Sequence, residues 1–312
     1  MMEQRFVLVV SHTRRDEAIS AAQQAVKQLL AAGITPVMTQ AERADFEKHP
    51  DAAALTSQVL TLGNQVELSS LELVMVLGGD GTILKAAEIV RESAVPLMGI
   101  NLGHVGFLAE SERDGLSDAV DRVAKRDYLI KERLTLDVSV IVGGNEVFRT
   151  WALNEATIEK SARERMLEVV VEVEQHPLSS FGCDGIVVST PTGSTAYAFS
   201  AGGPIVWPSV EALLVVPLSA HALFARPLVV KPDALVAVEV LQRSAGHGVL
   251  WCDGRRTWEL PPGARVEVVR SDVPVRLARL HQSSFTDRLV NKFSLPVAGW
   301  RGPDETQTQK SS

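Results

Sequence analysis

Cysteine is scarce in this chain. Cys183 and Cys252 are the only two in 312 residues, and their spacing fits no metal-site pattern, so both read as reduced thiols of a cytosolic protein. Positive charge is also in deficit. The net charge is −7 and no basic cluster stands against it, which argues against a dedicated nucleic-acid surface. An anionic ligand therefore has to be held by backbone N–H groups, a few basic side chains or a metal ion. Long apolar runs are missing too. The first one, Phe6–Val10, is too short for a signal peptide, and none approaches membrane-spanning length. The expectation is a cytoplasmic protein with neither nucleic acid nor membrane as partner.

What remains is ordinary for a globular protein: 46% apolar and 22% charged residues, with a length that suits two domains. The stretch around which the chain is organised is Leu73–Ala87. Leu73 to Leu77 is short, apolar and rich in branched residues, the pattern of a strand buried on both faces. It ends in Gly78-Gly79-Asp80-Gly81-Thr82, and a helical pattern from Ile83 to Ser93 follows with Ile83, Ala87 and Val90 on one face. Strand, glycine turn and helix N-terminus in that order suit an anion. Asp80 is out of place there, because a carboxylate repels phosphate unless it binds a metal or takes a proton. The alternative is a tight turn with Asp80 as a helix cap.

Around this stretch the first part of the chain reads as βαβ units. Phe6–Val10 is a strand, Asp16–Ala32 an amphipathic helix ended by Gly33, and Ile34–Met38 a strand. Residues 39–70 read as an exposed, charged loop with some helix over Ala52–Leu60. Pro96–Ile100 is a strand that opens into Asn101-Leu102-Gly103-His104-Val105-Gly106-Phe107-Leu108, a second glycine turn. Ligands of open α/β sheets sit beyond the carboxyl ends of the strands, so both turns suit one crevice. A helix over Gly115–Arg126 closes this part.

From about Leu134 the period changes to two. Leu134–Val142 alternates, Gly143-Gly144-Asn145 is a hairpin turn, and Glu146–Glu159 reads as the return strand. Met166–Glu174, Leu235–Leu241 and Arg265–Val269 alternate again, which predicts a mostly antiparallel domain. Two stretches of it stand out. In Trp151–Thr157, Asn154 and Glu155 sit within an apolar strand, where polar groups are costly unless paired; an adjacent amide and carboxylate suit the two hydroxyls of a ribose, and a solvated strand-end kink is the alternative. In Gly182–Tyr197 a strand, Ile186–Ser189, runs into a turn of hydroxyls and glycines and then a short helical segment from Thr195 to Ala201. That loop is read as a binding loop. His221 is read as a hydrogen-bonded core or loop residue.

Together these stretches resemble the NAD kinase family. G-G-D-G-T, N-L-G-x-x-G-F-L, the N-E pair and D-G-x-x-V-S-T-P-T-G-S-T-A-Y come in the family's order, and P-L-S-A-H-A-L-x-x-R-P-L at Pro217–Leu228 extends the likeness, which runs from about Phe6 to Trp300. The resemblance implies a Rossmann-like α/β domain over residues 1–132, completed by 284–300, and a mostly antiparallel β-sandwich domain over 133–283. The polar tail, 301–312, is expected to be disordered. It also implies transfer of a phosphoryl group from ATP, or from inorganic polyphosphate, to the 2′-hydroxyl of the adenosine ribose of NAD, giving NADP. Mg²⁺ or another divalent cation would bridge the donor phosphates, with no ligating side chains identified.

By position in that likeness, Asp80 would be the general base and, with Gly81 and Lys85, would lie near the dinucleotide. Asn154 and Glu155 would hold ribose hydroxyls and Asp184 would add a contact. Thr195, Ala196, Tyr197, Ala198, Phe199 and Ser200 would line the NAD pocket. The N–H groups of Gly78, Gly79, Gly81 and Thr82 would hold the donor. A homodimer or homotetramer built through the β-rich domain is implied as well. The chain departs from the family at Cys252-Asp253-Gly254-Arg255-Arg256, where Arg255 replaces a glutamine found near bound ligand; the arginine pair suits a phosphate or a subunit interface. Two other activities compete. A lipid kinase of the same superfamily usually has its N-E pair directly after the glycine turn, unlike this chain, and a non-catalytic NAD sensor has no use for Asp80.

Overall fold

The computed structural model describes residues 4–297 except 13–15, 104–105, 110, 113–114, 164, 223–224 and 281–283. The expected disordered tail, His104 and Val105 of the second glycine turn, Leu223, and the end of the 284–300 segment lie outside the described residues. The chain forms two compact units, Met1–Lys131 with Leu277–Ser312, and Glu132–Arg276.

In chain order the first unit gives β1 (Phe6–Ser11), α1 (Asp16–Ala31), β2 (Thr35–Met38), α2 (Gln40–Glu47), α3 (Pro50–Thr56) and β3 (Leu60–Thr61). It continues with β4 (Leu71–Leu77), α4 (Asp80–Ile89), β5 (Leu97–Asn101), β6 (Ser111–Glu112), α5 (Leu116–Ala124) and β7 (Leu129–Arg133). The second unit gives β8 (Leu136–Val142), β9 (Asn145–Ala152), β10 (Glu155–Lys160), β11 (Leu167–Val173), β12 (His176–Cys183), β13 (Gly185–Ser189) and α6 (Tyr197–Ser200). Then come β14 (Leu213–Leu218), β15 (Leu228–Val230), β16 (Val236–Val240), β17 (Gly248–Cys252), β18 (Arg256–Leu260) and β19 (Arg265–Arg270). β20 (Val275–Arg279) carries the chain back to the first unit, where α7 (Phe285–Phe293) closes the described part.

The first sheet runs β3-β2-β1-β4-β5-β20-β7, with β6 on β5. Its β1–β2, β1–β4, β4–β5 and β5–β20 pairs are parallel. Strand order reverses between β1 and β4, the switch point beyond whose carboxyl ends α/β folds bind ligands. Val7, Val9, Leu73, Met75 and Leu77 bury against Ala22, Val26 and Leu29 of α1 and Val120 of α5. Leu8, Val10, Val74 and Val76 are buried too, so β1 and β4 have no solvent face and carry near-continuous apolar runs.

The second unit is a sandwich of two antiparallel sheets, β15-β14-β13-β10-β17-β18 and β12-β11-β16-β19-β8-β9. Alternate residues of both sheets, among them Val138, Val169 and Val266 from one and Ile158, Ile186 and Leu250 from the other, form its core. An α/β unit followed by an antiparallel β unit is the architecture expected from the sequence.

Three local expectations need correction. The charged stretch after Met38 is helix α2, not a loop: Thr39 caps it by accepting the Glu42 N–H at 3.2 Å. The glycine turn is shorter than expected, since α4 already starts at Asp80 with Gly79 as N-cap. The return strand Glu146–Glu159 is two strands, β9 and β10, which belong to different sheets and meet at a corner of Leu153 and Asn154.

Candidate active site

The turn after β4 is built from glycines for two different reasons. A Cβ on Gly78 would lie 2.5 Å from Thr82 Oγ1, while Cβ atoms on Gly79 and Gly81 would meet nothing within 4 Å. The first glycine lets the turn close. The other two leave the N-terminus of α4 open to an approaching group, and among the described residues no side chain caps that end.

Asp80 is not a cap. Its Oδ1 accepts the Leu108 N–H at 3.1 Å and its Oδ2 accepts the Phe107 N–H at 3.2 Å. The second glycine turn thus grips the carboxylate, and it is gripped in turn. Phe107 packs at 6.0 Å against both Phe285 and Phe293 of α7, and Arg288 donates to the carbonyls of Phe107 and Ala109 at 2.8 and 3.0 Å. A carboxylate has about four lone-pair positions, so two N–H donors orient it and leave it able to accept a proton. Lys85, one turn along α4, is half-exposed and bonds Glu42 Oε1 at 2.9 Å. That pairing was not foreseen, although T-Q-A-E at Thr39–Glu42 is a capping-box sequence that marks α2.

In the second unit Asn154 and Glu155 are 8% and 6% exposed. They project from the corner between β9 and β10, not from within one strand. The corner is held from both sides. Thr190 donates its hydroxyl to Leu153 O at 2.6 Å and its N–H to Asn154 O at 2.9 Å, and the Ser189 hydroxyl reaches the same Asn154 carbonyl at 3.1 Å. From the β17–β18 turn, the Asp253 carboxylate accepts the N–H groups of Leu153, Asn154 and Glu155 at 2.9, 2.7 and 3.4 Å.

Glu155 also accepts the Tyr197 N–H, and its Oε2 has no hydrogen-bond partner among the described residues. Burial first, and the Asp253 charge second, push its carboxyl up to about 8. An acid in that state is a hydrogen-bond donor at neutral pH, a property suited to recognising a hydroxyl.

The Ser/Thr loop contributes less side-chain polarity than its composition promises. Ser189, Thr190 and Ser194 are buried, and their hydroxyls are spent on backbone carbonyls of the corner and the loop. Gly193 is required: a Cβ there would stand 2.1 Å from Asn154 O. Beyond it, the side chains of Tyr197 and Phe199 are exposed, Ser200 is exposed, and Thr195 and Ala196 are partly so. Ala198 instead packs into a small core with Val187, Leu214 and Val216.

Asp184 lies between β12 and β13 and pairs with Lys160 at 2.5 Å, a bond that holds its carboxyl below the usual range. His221 is exposed, not core, with its N–H on Gly182 O at 2.9 Å. Arg256 is committed within the unit. It bonds Asp253 Oδ2 and Trp151 O, each at 2.8 Å, and lies 4.6 Å from the Trp151 ring centroid. Cys183 and Cys252 are buried and free, and burial pushes both thiols up to about 12, which makes them inert at neutral pH. Among the described residues no group of three or more His, Cys, Asp or Glu could hold a metal ion, and no helix is long and apolar enough to cross a membrane.

A parallel sheet with an open glycine turn at its switch point, followed by a sandwich with a buried polar corner, is the build of a two-domain nucleotide-binding protein. The ATP-NAD kinase N-terminal domain matches residues 7–128 and the ATP-NAD kinase C-terminal domain matches 153–280. The chain belongs to the NAD kinase family. It is 61% identical over 305 residues to the NAD kinase of Leifsonia xyli subsp. xyli, covering 97% of this chain and 99% of that one. Among solved structures it resembles yeast NADH kinase complexed with NADH, with a TM-score of 0.83 at 20% identity over 95% of this chain and 89% of that one. It also resembles an NAD kinase from Archaeoglobus fulgidus in complex with ATP, with a TM-score of 0.67 at 22% identity over 94% and 100% of the two chains.

Proposed function

We propose that this chain phosphorylates the 2′-hydroxyl of the adenosine ribose of NAD to give NADP, with Asp80 as the general base. The observation that carries this is the seating of Asp80. It is a half-buried carboxylate at the open N-terminus of α4, aimed by two backbone N–H groups.

ATP is the donor, a reading supported by the ATP complex of the archaeal relative, and inorganic polyphosphate is a second donor to be tried beside it. The N–H groups of Gly79 and Gly81 receive the donor phosphates. Those of Gly78 and Thr82, expected from the sequence to join them, are spent on the carbonyls of Ile100 and Gly79, each at 2.9 Å, so these two residues shape the turn instead. As the hydroxyl oxygen forms its bond to the γ-phosphorus, its proton passes to Asp80 and the bond to the bridging oxygen breaks, releasing ADP. Asn154 and Glu155 bind ribose hydroxyls, Asp184 adds a polar contact, and Thr195–Ser200 lines the dinucleotide pocket, Ala198 through its backbone. Gly81 and Lys85 complete the dinucleotide contacts.

A divalent ion such as Mg²⁺ neutralises phosphate charge when bound. Such an ion would be brought in by the donor phosphates. The enzyme works in the cytoplasm as a homodimer or homotetramer.

The test is NADP formation from NAD, ATP and Mg²⁺, wild type beside Asp80→Asn. The expected result is NAD binding near that of the wild type with a rate lower by roughly 10²–10⁴-fold. A variant that turns over normally removes Asp80 from the chemistry. A wild-type protein that binds NAD but forms no NADP with either donor is a sensor, not a kinase.

A further inference from the structure

Successive N–H groups of a β-strand point to opposite sides. At Leu153, Asn154 and Glu155 they do not: all three converge on one carboxylate, that of Asp253, at 2.9, 2.7 and 3.4 Å. Three consecutive N–H groups turned one way form a concavity suited to an anion, and here the anion is a side chain from 100 residues further along the chain. This convergence ends β9 and starts β10. The Asp253 side chain is 1% exposed, its Oδ2 is also bonded by Arg256 at 2.8 Å, and its N–H returns to Glu155 O at 3.0 Å.

We propose that Asp253, held by Arg256, is a positioning residue for the dinucleotide: it sets the backbone from which Asn154 and Glu155 project and places a carboxylate beside the Glu155 side chain that meets the substrate. The proposal rests on the reading that Asn154 and Glu155 bind NAD. It gives the C-D-G-R-R turn a function that does not depend on a ligand contact by Arg255. The Arg256 guanidinium serves Asp253 and the Trp151 carbonyl and lies over the Trp151 ring, so it acts by holding Asp253.

A purely structural Asp253 would stiffen the corner and leave the titration of Glu155 alone. Among the described residues, the charged and titratable groups that face Glu155 are Asp253 and Cys252 from the β17–β18 hairpin, with Arg256 behind Asp253, and Tyr197 from α6. Of these, Asp253 raises the Glu155 carboxyl, next after burial. Removing its charge therefore moves the Glu155 titration down in pH.

Asp253→Asn isolates this effect. Asp253 has φ +54, a backbone state that asparagine also adopts readily, so the turn survives. The amide keeps the shape, but presents an NH₂ group to donors and carries no charge. The experiment is calorimetric titration of NAD into the full chain across the pH range about 6 to 10, with KM and kcat from NADP formation. The expected result for Asp253→Asn is a Kd and KM for NAD raised roughly 10- to 100-fold, with kcat within about threefold of wild type. The pH midpoint of NAD affinity should lie below the wild-type midpoint.

An unchanged KM overturns the proposal, and so does a loss of affinity with an unmoved midpoint. Should Asp253→Asn not fold, Arg256→Lys keeps a charge beside Asp253 but loses the planar fork. Its NAD KM should then rise roughly 3- to 10-fold at constant kcat, and no change there overturns the proposal equally. Glu155→Gln is run alongside and should abolish the midpoint. If Glu155→Gln and Asn154→Ala both leave NAD binding intact, the assignment of the corner to NAD fails instead.

Discussion

Asp80 and Gly106 approach each other so closely that a Cβ at position 106 would sit 2.5 Å from Asp80 Oδ1. The two residues belong to different glycine turns, and their contact lets the N–H groups of Phe107 and Leu108 reach the carboxylate. Glycine is needed at 106 for close approach, while a Cβ at Gly103, in the same turn, would meet nothing within 4 Å.

Gly106→Ala should therefore act on chemistry more than on folding. The methyl group displaces either the carboxylate or the turn, and a misplacement of about 1 Å at a reacting group costs on the order of 10²-fold in rate. The expectation is kcat lower by roughly 10- to 100-fold, with Gly103→Ala close to wild type. Steady-state kinetics on the two variants decides it. Equal activities would mean that the orientation of Asp80 does not matter for turnover.

Glu42 and Lys85 are unequal partners. The carboxylate is 3% exposed and the ammonium 40%, so the charge that suffers from losing its partner is the carboxylate. Lys85→Met strands it in the interior apart from the Thr39 hydroxyl at 3.0 Å, which should cost about 2–4 kcal/mol. Glu42→Gln leaves a neutral amide and an ammonium free to turn to water, at about 1 kcal/mol. Urea unfolding of both variants measures the difference. Equal destabilisation would contradict the asymmetry of burial.

The sequence makes much of this legible, for physical reasons that differ by element. β1, β4 and the helices α1 and α4 announce themselves because their burial is set locally, by a period of 2 or 3.6. α2 was hidden by its charged face, yet Thr39 and Glu42 carry the signal that marks its start. The break between β9 and β10 shows locally only as the polar pair Asn154-Glu155, for which a strand-end kink is the alternative reading. What holds the bend is Asp253, a residue remote in sequence. For the same reason the hydroxyls of Ser189 and Thr190 look like ligand contacts in the sequence, but in the fold they satisfy the carbonyls that this bend exposes.

Glu155 gives the chain a dependence on pH that can be signed. Its carboxyl is raised from 4.5 to about 8, by burial first and Asp253 second, against the pull of the Tyr197 N–H. Between those two values the folded chain holds a proton that the unfolded chain has released. Stability is therefore full below the unfolded value, falls as pH rises through the window, and levels off above the folded value. The whole effect is at most on the order of 5 kcal/mol, and entry of water reduces it. Glu155→Gln fills the same space with a group that never ionises, so it lacks the loss. Urea unfolding should find the variant within about 1 kcal/mol of wild type near pH 5 and more stable by roughly 2–4 kcal/mol near pH 9. A variant destabilised equally at both pH values would mean that Glu155 is ionised in the folded chain, and that Asp253 and Glu155 carry their charges side by side.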